Sequence, residues 1–299
     1  MESDSFQYTL GPPNSGFSMF LAERTKKVHF IRHAEGHHNV ATSVSAGDHG
    51  VLLRGELPAS EHEFYDARLT DRGIMQAHLL KKHLTTRPSQ GRPFTTFDLV
   101  VVSPLTRTLE TARHIFGRGR KPGTPAFLDP GSEMNVNEGV YGHIAAPRFL
   151  VREECRERFG HYVCDGRRPI SQVIDEFSDF DFSEVAYDDD RFYSDERESD
   201  QACCDRALAF LEWLNRRPEK CIAVVTHSSF LRHLFGQFGE NLAAADKKTI
   251  QQTTANCELR SIVMASHGSK ENSSIKQMTA PQRAASDWST SAHTADAQA

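Results

Sequence analysis

The chain has 299 residues, 38% hydrophobic and 25% charged, with a formal net charge of −5. That balance supplies material for a good core and argues against a globally basic nucleic-acid binder. No apolar run of about 18 residues is present, so no membrane-spanning helix is expected.

Residues 1–25 read as a polar lead-in without the charged-then-apolar pattern of a signal peptide. Val28 to Ile31 form the first strand-like apolar run, and it ends abruptly in Arg32 and His33. "LTDRGIMQAHLLKKHL" carries an apolar stripe at Ile74, Ala77, Leu80 and Leu84, a helix with Thr70 as its N-cap. "FDLVVV" (97–102) is continuously apolar, the mark of a strand covered on both faces. "PLTRTLETARHIF" follows as a helix with Pro104 in its first turn. Residues 118–198 read as a long, loop-rich insertion with an acidic run, "YDDDRFYSDERESD", expected on a solvated surface. Ser199 caps a helix over "SDQACCDRALAFLEWL", "CIAVVT" (221–226) is a buried strand, "SSFLRHLFGQF" a helix, and "CELRSIVMAS" a closing strand. From 268 to 299 the chain is rich in Ser, Ala, Thr and Gln and reads as a disordered tail. Alternating elements of these lengths predict an α/β domain over 26–267, with a mostly parallel central sheet flanked by helices on both faces and the insertion capping the site.

The six cysteines include no Cys-x-x-Cys pair, so neither a zinc site nor a disulfide framework is read from them. Reduced thiols and a cytoplasmic location fit better.

Three predicted strands end in polar groups: Arg32-His33, then Ser103 with Arg107 one helical turn on, then Thr226-His227. In open α/β sheets, ligands gather at the carboxyl ends of strands. If these strands are neighbours, two arginines and two imidazoles converge on one crevice. A phosphoryl group suits such a cluster, with forked arginine donors on its oxygens. The helix N-termini after Ser103 and Thr226 are expected to add backbone N–H donors. Cations nearby lower an imidazole's pKa, leaving His33 neutral and able to attack phosphorus. His37, His38 and His49 are read as bland histidines, solvated or simply hydrogen-bonded. Arg167 and Arg168, in the insertion, stand between two readings, contact with a charged substrate or a solvated basic turn.

Taken together, "FIRHAEGHHN", "LTDRGIMQA", "VVSPLTRTLETA" and "AVVTHSSFLRHL" resemble the histidine phosphatase superfamily, the phosphoglycerate mutase-like proteins, over about 26–265. The resemblance implies His33 as the phosphorylated nucleophile, with Arg32, Arg107 and His227 completing the phosphate pocket. It also implies Asn39 as a phosphate contact. Two departures stand out: Ala34 replaces the usual glycine after the nucleophile, and Ser228 the one after the second histidine. Two glutamates compete as proton donor. "NVNEGVYG" sets Glu138 in a context like that of the glycolytic mutases. "EECRERFGHYVCDGRR" is similar to a segment of plant and fungal phosphoglycerate mutase-like proteins and implies Glu157, which the fuller match favours.

The expected activity is metal-independent phosphomonoester hydrolysis through phosphohistidine, on a phosphorylated metabolite or protein, with no cofactor, nucleic acid or membrane involved. A phosphoglycerate-type mutase and a catalytically idle phospho-ligand binding module are the alternatives.

Overall fold

The computed structural model describes residues 21–56, 58–85, 96–117, 147–240 and 242–266. In chain order these form β1 (Thr25–Arg32), α1 (His37–Val44), α2 (Asp71–Thr85), β2 (Leu99–Val102), α3 (Thr106–Phe116), β3 (Arg148–Val151), α4 (Ile170–Val173), β4 (Phe180–Asp181), α5 (Asp200–Arg216), β5 (Cys221–Thr226), α6 (Ser228–Gly236), α7 (Ala244–Gln251) and β6 (Leu259–Ala265). The described strands make one six-stranded sheet in the order β4-β3-β2-β5-β1-β6. All pairs are parallel except β1 with β6. The α/β class and the mostly parallel sheet are as the sequence predicts.

Two apolar layers explain the continuous hydrophobic runs. One face of the sheet, with Ile31, Val100, Val102 and Val225, packs on Ala77 of α2 and on Leu109, Ala112 and Ile115 of α3. The other, with Phe30, Val101 and Val224, packs on Phe210 and Leu214 of α5 and on Phe230 and Leu234 of α6. Each such side chain buried contributes roughly 1.5–3 kcal/mol. Strands covered on both faces cannot alternate polar and apolar, which is why β2 and β5 read as unbroken apolar runs.

The caps at Thr70 and Ser199 are present: Thr70 Oγ1 accepts from Gly73 N at 3.0 Å and Ser199 Oγ from Ala202 N at 3.1 Å. Three expectations change. Pro104 lies before α3 rather than in its first turn, and Leu105 is the residue that precedes the helix. The segment expected to be a capping loop supplies β3 and β4, so it builds the sheet as well as covering it. The acidic run is not simply solvated, because Asp190 is a buried partner of Arg156 at 2.6 Å. Glu138, residues 1–20 of the lead-in and the tail from 268 lie outside the described residues.

Candidate active site

The order of the sheet decides the site. β5 lies between β1 and β2, so the three strands with polar ends are neighbours. Their register aligns those ends: Arg32 pairs with Thr226, His33 N donates to Thr226 O at 2.8 Å, and Ser103 N donates to Val225 O at 3.1 Å. Each strand therefore releases its polar residues at the same height, at the carboxyl edge of a parallel sheet.

His33 is 2% exposed. Its Nδ1 lies 2.7 Å from the carbonyl oxygen of Ala34, which only accepts, so Nδ1 carries the proton and Nε2 keeps its lone pair. No described residue engages Nε2. Burial, then Arg107, then Arg32 and His38 push the imidazole well below its usual range, so it is neutral at pH 7. The ring of His227 stands 5.2 Å from that of His33. His227 is fully buried, its Nε2 shares a 2.8 Å hydrogen bond with Ser103 Oγ, and burial and Arg107 hold it neutral too. Ser103 is thus the partner of the second histidine.

Arg107 is buried, with Nη1 donating to Cys164 O at 2.5 Å, Nη2 3.4 Å from Asp165 Oδ1, and Nε without a partner among the described residues. Asp165 is shared with Arg197, and burial, opposed first by Arg197, raises its carboxyl above the usual range. Arg32 donates through Nη1 to Thr254 O at 2.8 Å and lies within electrostatic reach of Glu157 and Arg107. Asn39 Oδ1 accepts from Gly36 N at 3.0 Å and from Asn256 Nδ2 at 3.2 Å, while Asn256 also donates to His33 O at 3.2 Å. The two asparagines brace the loop that follows the histidine.

Glu157 is 9% exposed and sits at the N-terminus of α6. Its Oε1 accepts from Arg158 N and Phe230 N, each at 2.9 Å, and, among the described residues, Oε2 accepts only from Ser229 N at 3.2 Å. Oε2 is therefore the oxygen with capacity to spare. Arg206 fixes the turn that presents it, donating to the carbonyls of Glu154, Arg156 and Glu157 while paired with Glu198.

All six site residues read from the sequence are described: Arg32 ends β1, His33 follows it, Asn39 lies in α1, His227 follows β5, Arg107 lies in the first turn of α3, and Glu157 joins them from the segment after β3. Three other expectations are corrected. The helix N-termini do not stand open for a phosphate as expected: Thr106 N donates to Asp66 Oδ1 at 2.8 Å, and Ser229 N and Phe230 N donate to Glu157. The chain occupies both helix N-termini with carboxyl side chains of its own. Arg167 is neither a substrate contact nor a solvated residue, because it is fully buried and bonded to Glu153 and the carbonyls of Arg168, Tyr187, Asp188 and Asp189. Arg168 is held by Asp66, Thr106 and Glu176. His38 is not bland either: 6% exposed, it packs on His33 with ring centroids 5.4 Å apart.

Asp165, Arg197, Asn256 and Arg206 were missed by sequence reasoning. The signal available for Arg206 is a cation on the apolar face of α5; for Asp165 and Arg197 periodicity offers none, since both lie in irregular backbone.

A profile of the histidine phosphatase superfamily (branch 1) matches residues 28–131 and 151–274. The chain belongs to that superfamily. It is 32% identical over 272 residues, 90% of this chain and 95% of the relative, to a phosphoglycerate mutase-like protein of Arabidopsis thaliana. It is 29% identical to phosphomutase-like protein 3 of Candida albicans, over 73% of this chain and 62% of that one. Among solved structures, the alpha-ribazole phosphatase of Shigella flexneri aligns with a TM-score of 0.42 and 20% identity, covering 79% of this chain and 89% of that one. No helix among the described residues is long and apolar enough to cross a membrane.

Proposed function

We propose that the protein is a metal-independent phosphomonoesterase that works through a phosphohistidine on His33. The observation that carries this reading is the state of that imidazole: Nδ1 is tied to the Ala34 carbonyl, and Nε2 is left unprotonated, with no hydrogen bond to a described residue, beside two arginines and a second imidazole.

In the first step the Nε2 lone pair of His33 attacks phosphorus, a P–N bond forms and the ester P–O bond breaks. The proton on Glu157 passes to the leaving oxygen, so an alcohol departs rather than an alkoxide. Arg32, Arg107 and His227 stabilise the charge on the equatorial oxygens, which is why no metal is called for in this scheme. In the second step Glu157, now a carboxylate, takes a proton from water as its oxygen attacks phosphorus. The P–N bond breaks, giving orthophosphate and the original imidazole. The greater freedom of Glu157 Oε2 makes it the oxygen that carries the proton.

Incubation with a ³²P-labelled phosphomonoester followed by rapid quenching tests the scheme. The expected result is acid-labile, base-stable label on wild type and none on His33→Ala. Label that persists in the variant overturns the assignment. Label returned to an acceptor alcohol without net hydrolysis would instead make the protein a mutase.

A further inference from the structure

His38 belongs to a pair of adjacent histidines at the start of α1, among 15 in the chain. Its neighbour His37 is exposed and His38 is buried. The ring of His38 lies 5.4 Å from that of His33, tilted by 46°. After burial, the groups that act on it most are Arg107 and Arg32, the cations that also act on His33. It therefore occupies the same electrostatic environment as the nucleophile, and burial with those cations keeps it neutral.

The backbone is shaped to admit this ring. Gly36 stands directly against it: a Cβ at that position would be 2.9 Å from both Cε1 and Nδ1 of His38. Any other residue at 36 would displace the imidazole. Yet the Nδ1 so enclosed is buried and has no hydrogen-bond partner among the described residues. An imidazole confined with an unpaired nitrogen is less stable there than an apolar ring of the same shape. A purely space-filling side chain here would be Phe or Leu. The imidazole is explained if its other nitrogen makes a bond that an apolar ring cannot.

We propose that His38 is a third imidazole of the phosphoryl site, a neutral donor that hydrogen-bonds an equatorial oxygen of the transferring phosphoryl group through Nε2. The assignment rests on the phosphohistidine reading above and extends it. The placement of the proton follows from the enclosure. Nδ1 faces Gly36 and no acceptor, so a proton there would be stranded, whereas Nε2–H has the incoming phosphoryl oxygens to donate to. A neutral donor also suits the site, because a third buried cation beside Arg32 and Arg107 would raise the cost of the empty pocket. In the transition state, charge on the equatorial oxygens grows, and a fixed donor aimed at one of them gains most there.

Three variants test the assignment: His38→Phe keeps the ring and removes both nitrogens, His38→Gln puts an amide N–H near the Nε2 position, and His38→Asn puts one near the Nδ1 position. Two readouts are needed, hydrolysis of p-nitrophenyl phosphate and calorimetric binding of orthovanadate, whose geometry mimics the transferring group. The expected result is a fall in kcat/KM of roughly 10- to 100-fold for His38→Phe. Vanadate binding should weaken in parallel, and His38→Gln should regain much of both losses. If His38→Phe fails to fold, the comparison of Gln with Asn decides, with Gln expected to be the better. A Phe variant equal to wild type, or better than Gln, means that His38 only fills space and overturns the inference while leaving phosphohistidine catalysis standing. Asn equal to or better than Gln overturns it as well. A wild-type protein that neither binds vanadate nor turns over overturns the underlying reading, and this inference with it.

Discussion

Mild acid should weaken this fold steeply, and the site geometry sets by how much. His33, His38 and His227 are 2%, 6% and 0% exposed, and burial first, then Arg107, pushes all three well below the ordinary imidazole range. Their folded pKa values thus lie below the unfolded ones, so in mild acid the unfolded chain binds protons that the folded chain refuses. The stability at stake is complete above the unfolded pKa and is lost as pH falls below it, down to the folded values. At about pH 5.5, one unit under an unfolded pKa of about 6.5, each imidazole kept neutral costs roughly 1.4 kcal/mol. Three together cost about 4 kcal/mol, a large share of a typical stability of about 5–15 kcal/mol. His29 and His114, also lowered by burial, act in the same direction with a smaller shift. Asp165 and Glu110, raised by burial, oppose it. Urea unfolding between about pH 7.5 and 5.5 measures the sum. The same experiment on His38→Gln isolates one imidazole, and its stability should fall by roughly 1.4 kcal/mol less over that range. Identical pH dependence in the two proteins would refute the claim that His38 is held neutral.

Gly73→Ala should destabilise the protein by about 1–3 kcal/mol, read as a lower urea midpoint, and slow turnover as well. A Cβ there would collide with the carbonyl of Glu35, displacing the loop between His33 and Asn39. Arg107→Ala should cost about 3 kcal/mol of transition-state stabilisation in kcat/KM, whereas Arg216→Ala, 77% exposed on α5, should change it little. Glu157→Gln should slow hydrolysis of an alkyl phosphate by roughly 10²- to 10⁴-fold and spare p-nitrophenyl phosphate, whose leaving group departs without a proton. Equal losses on the two substrates would show that Glu157 is not the acid.

The convergence of Arg32, Arg107, His33 and His227 was legible because it depends on one strand order and on residues at strand ends, both marked by apolar runs that stop short. Thr70 and Ser199 were legible because capping is local chemistry. β3 and β4 were not, since four and two residues are too few to show a period and their flanks are charged. Arg167 was misread because sequence cannot show that Glu153 and the carbonyls of Tyr187, Asp188 and Asp189 would enclose it. His38 was lost among other histidines: only the third dimension sets one against the nucleophile and leaves the next in water.

Asp165 gives the pocket a resident rival to its substrate. On the phosphohistidine reading, a phosphate arriving at Arg107 would meet a guanidinium whose charge Asp165 already partly offsets. Its affinity is then a difference between two attractions. Such an arrangement restrains ground-state binding equally for ester and orthophosphate, while leaving intact the donors that count only as charge develops on phosphorus. A site built solely from arginines and imidazoles would grip its own product. On that same reading, the carboxylate beside Arg107 would favour departure of the product.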